Sequence, residues 1–447
     1  MLWVYSSLRR LPRMAIISKK KEISNNTPVT PAIKTVGTVS GNTSTKEHDD
    51  ISEFMADVHK SVNKELGENA LIDLSVDDSF VVVKRFAPTG SRQLDYCISN
   101  TSNGGFPEGR ITEIYGPTAS GKTTLALIAA ANVQKMGGIV IYIDSEQALN
   151  IKRAENLGVN VKERFLYSPE TCTERVFDLI EKTVLRVKNI KKDIPTLVVW
   201  DSVAAATPKG ELESEYEQNT IGLQARALRK GLRKINQILA GEKVTLVLIN
   251  HITLKIGVVY GSPETTTGGT AIPFWSCLRV KIGNPSPIKR ALGSGEEIIG
   301  VSVSAKVTKN KIERAWREVG FDILFDEGVS ESDHIFDTVR EYCDRTKADP
   351  VLWNGKRVAI SGTGAWKDFT ITDPATGEVF TSEKYYKSDF KSKILNNPKY
   401  QEPVQFLMDS CYIIGSNVAD HVTLVAPDPS NEDEAMALEI EKGNKKP

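Results

Sequence analysis

The stretch Gly116-Pro117-Thr118-Ala119-Ser120-Gly121-Lys122-Thr123 decides the fold. It fits G-x-x-x-x-G-K-[ST], the phosphate-binding P-loop, and it directly follows an apolar strand-like run, Ile111–Tyr115. A helical pattern, Thr124–Gln134, comes next, so strand, loop and helix stand in the order the motif requires. The glycines let the backbone form a nest of N–H donors at a helix N-terminus, where anions are favoured. Lys122 then reaches the β- and γ-phosphates, and the Thr123 hydroxyl sits on Mg²⁺. The reading is a nucleoside triphosphate site spanning Gly116 to Thr124, with Mg²⁺ as its metal.

Outward from the loop, Leu197-Val198-Val199-Trp200-Asp201 is an apolar strand ending in an acid, the Walker B form whose Asp helps hold Mg²⁺. The run Ile139–Ile143 ends in Asp144-Ser145-Glu146, and the C-terminal end of a strand is where open α/β sheets bind ligands. From the residues alone, two roles stand for these acids. Glu146 activates the water of hydrolysis, or Asp144 and Glu146 merely solvate the strand edge or cap the next helix. Ile111–Tyr115, Ile139–Ile143, Leu197–Trp200 and Thr245–Ile249 are apolar throughout, as strands buried on both faces of a parallel sheet are. They alternate with helical patterns from Gly109 to about Gly283, which predicts an α/β fold with a mostly parallel sheet.

The chain has 447 residues, room for two or three domains, and 57 Lys+Arg against 57 Asp+Glu. That balance excludes a protein that holds nucleic acid by being basic throughout, though not one with basic tracts. Five scattered cysteines without a Cys-x-x-Cys pair argue against a disulfide framework or structural zinc and fit a reducing compartment. No apolar run approaches the ~18 residues of a membrane span, so no membrane partner is expected.

Met1–Lys21 carries six bases and no acid. It reads as an organelle presequence, a solvated basic tail, or upstream coding with the start at Met14. Residues 23–46 are polar and expected to lack structure. Ile51, Phe54, Met55, Val58, Val62 and Leu66 recur at helical spacing, and Phe80–Val83 reads as a short strand. Residues 284–300, with two prolines and two glycines before Gly300, read as a loop; Gly300–Lys311 and Phe321–Phe325 read as strands. The expected organisation is a segment 1–50, an N-terminal helix and strand (51–88), an ATPase core (89–329), a small α+β C-terminal domain (330–425) and an acidic tail (426–447).

Here the residues resemble a known family. EGRITEIYGPTASGKT (108–123), IDSEQAL (143–149), WDSVAAATPKGELESE (200–215), NHITLKIGVVYGSPETTTGG (250–269) and KVTKNKI (306–312) resemble the core of bacterial RecA-type strand-exchange proteins. The likeness is densest over 109–329 and weaker toward 51–66 and Gly364-Ala365-Trp366. It implies an ATP-dependent recombinase that forms helical filaments on single-stranded DNA and pairs it with homologous duplex. In that family Lys122, Thr123 and Asp201 match the phosphate and Mg²⁺ residues, and Glu146 matches the general base. Lys309 and Lys311 match a pair that reaches the ATP of the neighbouring subunit. The helix at 51–66 would pack on the adjacent protomer. The C-terminal domain would admit duplex DNA, with the acidic tail as competitor. The resemblance implies a cytoplasmic bacterial or phage-infected setting, with single-strand-binding and loader proteins as further partners; an organelle matrix is the alternative.

Two loops, about Ser214–Ile221 and Ile252–Thr267, correspond to the family's DNA-binding loops. The residues after the first add their own evidence: Arg226, Arg229, Lys230, Arg233 and Lys234 share one helix face without an intervening acid. Such a stripe suits a phosphate backbone, while a solvated helix face is the competing reading. Gly268 and Gly269 offer bare N–H groups and Lys255 adds charge. Ile221 and Ile256 match positions where the family wedges a side chain between base triplets. Together with Lys306–Arg317, the stripe makes a basic track set against the acidic tail.

Five positions depart from the family. His251 stands where a Gln senses the γ-phosphate, Arg153 where a Tyr stacks on adenine, and Asn150 where an Asp contacts the base. Thr253 and Pro273 stand where filament and DNA contacts include Arg and Lys. This suggests a divergent, virus-like member. A hexameric helicase-type motor and a non-catalytic DNA-binding filament protein are the alternatives.

Overall fold

The computed structural model describes residues 44–67, 70–76, 78, 81–215, 222–254, 264–292 and 295–414. Met1–Lys21, Phe80, Ile221, Lys255, Ile256, most of both expected DNA loops and the acidic tail lie outside them. The chain divides into two units, Met1–Leu74 and Ser75–Pro447.

In the first unit, helix α1 (Ser44–Leu66) starts earlier than expected, so Ser44–Lys46 are helical rather than unstructured. Its Ile51, Phe54, Met55 and Leu66 are exposed, part of the apolar stripe along this helix.

The second unit opens with β1 (Phe86–Ala87), α2 (Arg92–Ser99) and β2 (Phe106–Pro107). The expected strand at 80–83 is not one where it is described. The Val81 and Val82 N–H groups both donate to the Asp78 carbonyl, at 2.9 and 2.8 Å, making a turn in place of a sheet partner. Then follow β3 (Ile111–Gly116), α3 (Lys122–Lys135), β4 (Ile139–Asp144), α4 (Ile151–Asn156), β5 (Phe165–Ser168), α5 (Thr173–Ile190) and β6 (Thr196–Asp201). After α6 (Lys209–Leu212) come α7 (Leu223–Glu242), β7 (Thr245–Leu254), β8 (Glu264–Thr266), α8 (Ala271–Trp275) and β9 (Leu278–Ile282). The antiparallel half is β10 (Ser286–Leu292), β11 (Gly295–Asn310), β12 (Glu318–Leu324) and β13 (Gly328–Ser330).

These strands form one sheet in the order β13-β12-β11-β9-β3-β7-β6-β4-β5. The half from β9 to β5 is parallel and the rest antiparallel. The apolar runs divide by alternation. Val140, Tyr142, Leu197, Val199, Val247 and Ile249 pack on the α3 side, while Ile141, Ile143, Val198, Trp200, Leu246 and Leu248 pack on the α5 and α7 side. Period-two geometry sends neighbours to opposite faces, and both faces are covered. Gly231 sits in the middle of α7 because a Cβ there would come 2.1 Å from the Phe177 ring, so α7 and α5 approach closely.

The expected loop at 284–300 is instead the β10–β11 hairpin. Pro287 is accommodated because β10 pairs on one side only. A bulge at Ile288/Lys289 and the cross-strand pairs Lys289–Glu296 (2.8 Å) and Arg290–Glu297 (3.1 Å) complete the hairpin.

After β13 come α9 (Ser332–Arg345), the three-stranded antiparallel sheet β14 (Arg357–Ser361), β15 (Trp366–Thr372), β16 (Val379–Tyr386), and α10 (Gln401–Tyr412). Their core includes Phe336, Phe369, Tyr385, Phe390 and Met408, joined by Tyr96 of α2. Among the described residues, no helix is long and apolar enough to cross a membrane, and the five cysteines are free thiols.

Candidate nucleotide site and basic track

The P-loop lies between the C-terminal end of β3, at the middle of the sheet, and the N-terminus of α3. Gly121 takes φ 88°, a left-handed conformation that favours glycine, and a Cβ on it would displace the tip of the Ile323 side chain, 2.1 Å away. Lys122 Nζ donates to the Gly116 and Pro117 carbonyls, at 3.2 and 2.6 Å. Its burial lowers its pKa, with Asp201 and Glu146 opposing the shift.

Strand β6 delivers Asp201 beside the loop, where its Oδ2 accepts from Thr123 Oγ1 at 2.8 Å and from Tyr142 OH at 2.7 Å. Burial raises the Asp201 pKa against those two hydrogen bonds, and Glu146 and Asp144 raise it further. An adjoining hydroxyl and buried carboxylate are hard oxygen donors of the kind Mg²⁺ takes, and a cation there would favour the ionised acid. The residues fit the metal.

The two acids after β4 separate. Asp144 is buried, and its Oδ2 accepts from the Leu149 N–H (2.9 Å) and Tyr167 OH (3.2 Å), so it shapes the following loop. Glu146 faces the cleft. Its Oε1 accepts from Ser202 Oγ at 2.5 Å and lies 3.2 Å from His251 Nε2. A carboxylate only accepts, so this contact uses the tautomer protonated at Nε2. Both side chains are accessible, Glu146 at 38% and His251 at 31%.

The cleft is about 250 Å³, and Thr118, Lys122, Glu146, Arg153, Asp201 and His251 all line it. Arg153 Nη2 donates to Thr124 Oγ1 at 2.9 Å, fixing its guanidinium on the wall. Asn150 is engaged elsewhere: its Oδ1 accepts the Arg153 N–H at 3.0 Å and caps α4.

Sequence reasoning overlooked Tyr142 and Ser202, which hold the two acids, and Val301, Ile323 and Phe325, which close the cleft from the antiparallel half. Ser202 had a signal in its place after the Walker B acid. The apolar three had none, because only the strand order brings them there.

Lys309 and Lys311 do not line this cleft. Lys309 Nζ donates to the Pro273 and Phe274 carbonyls of α8, at 2.7 and 3.2 Å. Lys311 is exposed.

On α7, Leu228, Leu232, Ile235 and Leu239 face inward, and Arg226, Arg229, Lys230, Arg233 and Lys234 are exposed. Lys234 is a correction to the stripe, since it pairs with Glu181 of α5 at 2.5 Å. Arg229 Nη2 donates to Thr270 Oγ1 at 3.2 Å, which sets the stripe beside Gly268 and Gly269. Both glycines have positive φ, 92° and 64°, and a Cβ on Gly268 would meet Leu228 at 2.5 Å. The glycine pair is therefore seated on α7. The second half of the expected track is also reduced: Lys306 pairs with Glu318 (3.8 Å), and Lys309 and Arg317 bind backbone carbonyls.

Comparison with known proteins identifies the family. The RecA N-terminal domain family profile matches residues 53–330. The RecA protein of Sulfurimonas denitrificans is 42% identical over 327 residues, 73% of this chain and 86% of that protein. Those of Geobacter sulfurreducens and Porphyromonas gingivalis are each 40% identical, over 280 and 281 residues, covering 78% and 77% of their own lengths and 63% and 62% of this chain. The chain belongs to the RecA family.

Proposed function

We infer that the chain is an ATP-dependent DNA recombinase and DNA-dependent ATPase, acting as a helical filament on single-stranded DNA and exchanging strands with homologous duplex. One observation carries the assignment of the site: P-loop, Walker B acid, Glu146 and His251 converge on a single cleft in a chain of this family. Lys122 and the loop N–H groups bind the ATP phosphates. Thr123 and Asp201 would hold Mg²⁺, which supplies charge neutralisation at the β- and γ-phosphates. Glu146 is the general base for water. Its Oε1 is held by Ser202 and His251, which leaves Oε2 to take the proton. Arg153 supports the base edge.

Lys309 and Lys311 serve a neighbouring protomer's ATP, a reading supported by their absence from the chain's own cleft. The exposed apolar stripe of α1 is suited to docking on that neighbour. Arg226, Arg229, Arg233, Gly268 and Gly269, with Lys255, Ile221 and Ile256, form the DNA track. Phosphate and stacking contacts of this kind are largely independent of sequence. The C-terminal domain receives duplex DNA. Single-strand-binding and loader proteins act beside the filament in a cytoplasmic setting.

Two variants test the site. Lys122→Ala should lose nucleotide binding. Glu146→Gln should bind ATP and hold DNA while turnover falls by about 10²-fold or more. Normal turnover in Glu146→Gln removes that residue from its role. Electron microscopy with ATP and single-stranded DNA should show filaments; closed rings would favour the helicase-type motor.

A further inference from the structure

Strand β4 runs beside β6 with Tyr142 opposite Val199 and Asp144 opposite Asp201. Tyr142 and Val199 pack on the α3 side of the sheet, and Asp201, two residues on from Val199, points the same way. On that face Asp201 is the diagonal neighbour of Tyr142, and the phenol is long enough to reach it. Its OH donates to Asp201 Oδ2 at 2.7 Å. The ring itself is fixed: Tyr142 is 1% exposed and stacks on Phe165 of β5, with centroids 5.8 Å apart and planes 24° apart. For that packing a phenylalanine would serve as well. What the hydroxyl adds is a donor aimed at Asp201.

The same Oδ2 accepts from Thr123 Oγ1 at 2.8 Å, from the first turn of α3. A hydroxyl carries one proton and two lone pairs. With its proton spent on Asp201, Thr123 keeps its lone pairs for a cation. Both donors converge on one oxygen, and Asp201 Oδ1 accepts no hydrogen bond from the described residues. The carboxylate is thus held with one oxygen committed and the other open. Groups placed behind a metal ligand set its orientation in this way. Without the phenol, Thr123 alone would fix how the carboxylate is turned.

We propose that Tyr142 is a positioning residue for the Mg²⁺ that accompanies the nucleotide: its hydroxyl holds the Asp201 carboxylate in the orientation that takes the Thr123 proton and leaves Oδ1 for the cation. This rests on the nucleotide and Mg²⁺ reading of the cleft. The second tyrosine nearby has a different task. Tyr167 OH donates to Asp144 Oδ2 at 3.2 Å, and that acid also accepts the Leu149 N–H, so Tyr167 serves the loop after β4.

The test follows binding of a fluorescent, ribose-labelled ATP to the full chain as Mg²⁺ is raised. Tyr142→Phe keeps the ring and its stacking and removes only the oxygen. Its half-saturating Mg²⁺ should rise about tenfold or more, the loss typical of a group behind a metal ligand, and excess Mg²⁺ should restore binding. Tyr167→Phe removes the same group from the other acid and should keep the native half-saturation. Asp201→Asn locates the effect. If Tyr142 acts through that carboxylate, adding Tyr142→Phe to Asp201→Asn should shift half-saturation by no more than about twofold further. An unchanged half-saturation in Tyr142→Phe overturns the proposal; a lower thermal midpoint of the metal-free variant beside it would make the hydroxyl a stabilising group only. An equal shift in Tyr167→Phe, or a full further shift in the double variant, overturns it too. Labelled ATP that binds the native chain without regard to Mg²⁺ takes down the metal reading and this role together, whereas native dependence on Mg²⁺ that Tyr142→Phe shares sinks only this role.

Discussion

A single oxygen, Glu146 Oε1, receives both Ser202 and His251. His251→Ala removes one of the two side chains held on that oxygen, so DNA-stimulated turnover should fall while ATP binding is kept; His251→Gln, whose amide still donates, should restore part of it. Equal turnover in all three chains would refute the coupling. A different acid makes stability depend on pH. Asp95 is buried, accepts the Thr89 N–H at 2.9 Å, and is pushed by desolvation from 3.8 to about 8. Its folded pKa is the higher one, so its contribution is complete below 3.8 and is lost as pH rises through 8. Stability from this group should fall by up to ~1.4 kcal/mol per pH unit inside that window. Asp95→Asn keeps an oxygen for Thr89, and its denaturation midpoints should depend less steeply on pH from 4 to 8 than those of the native chain. Parallel curves would contradict this. Of these residues, Glu146 and His251 were legible because each follows an apolar strand run within a recognisable motif. Asp95 was not, since nothing local announces that helix α2 will be buried on nearly every side.

Strand β7 joins the two chemistries. Its middle carries Asn250 and His251, and its last residues, Ile252–Leu254, pair with β8 across the second loop. Asn250 Nδ2 donates to Glu113 Oε1 (2.9 Å) and to the Thr267 carbonyl (3.0 Å), while Arg279 Nε donates to Glu113 Oε2 (2.5 Å). One buried carboxylate thus ties β3, β7 and β9 to the flank of the loop. The parallel strands were readable because burial on both faces leaves continuous apolar runs. The β10–β11 hairpin was not, because an edge strand tolerates prolines and exposed charges that look like a loop. Helix α2 holds the C-terminal segment. Glu331 accepts Ser91 Oγ (2.7 Å) and the Arg92 N–H (2.8 Å) at one end, and Arg317 donates to the Tyr96 and Tyr412 carbonyls (2.8 and 2.5 Å) at the other. Arg317→Ala removes charge-assisted bonds to partly buried acceptors and should cost roughly 2–3 kcal/mol. Hydrogen exchange should show lost protection in α10 first; uniform protection would place the clasp elsewhere.

At the scale of the whole molecule, charge neutrality conceals partition, but less of it than the sequence suggests. Five bases at 306–317 and five at 226–234 face one intervening acid, Glu313. Folding then commits Lys234, Lys306, Lys309 and Arg317 to acceptors of the chain itself. Composition counts charges and cannot see these internal partners, so the outward track is shorter than the run of letters implies. The same placement of Lys309 and Lys311 outside their own cleft has a consequence for assemblies of finite length. If each cleft is completed by the next subunit, the contact is head-to-tail, and the two ends of a row differ. A row of n subunits then holds n − 1 complete sites, and one terminal cleft always lacks its lysines. Turnover per chain should rise with row length as (n − 1)/n, steeply for short rows and hardly at all for long ones. Rates measured on oligonucleotides of increasing length check this, and a rate per chain independent of length would return both lysines to their own subunit. Such a row carries a clock with one idle hand: the end subunit keeps its ATP longest, which gives an otherwise uniform polymer a direction.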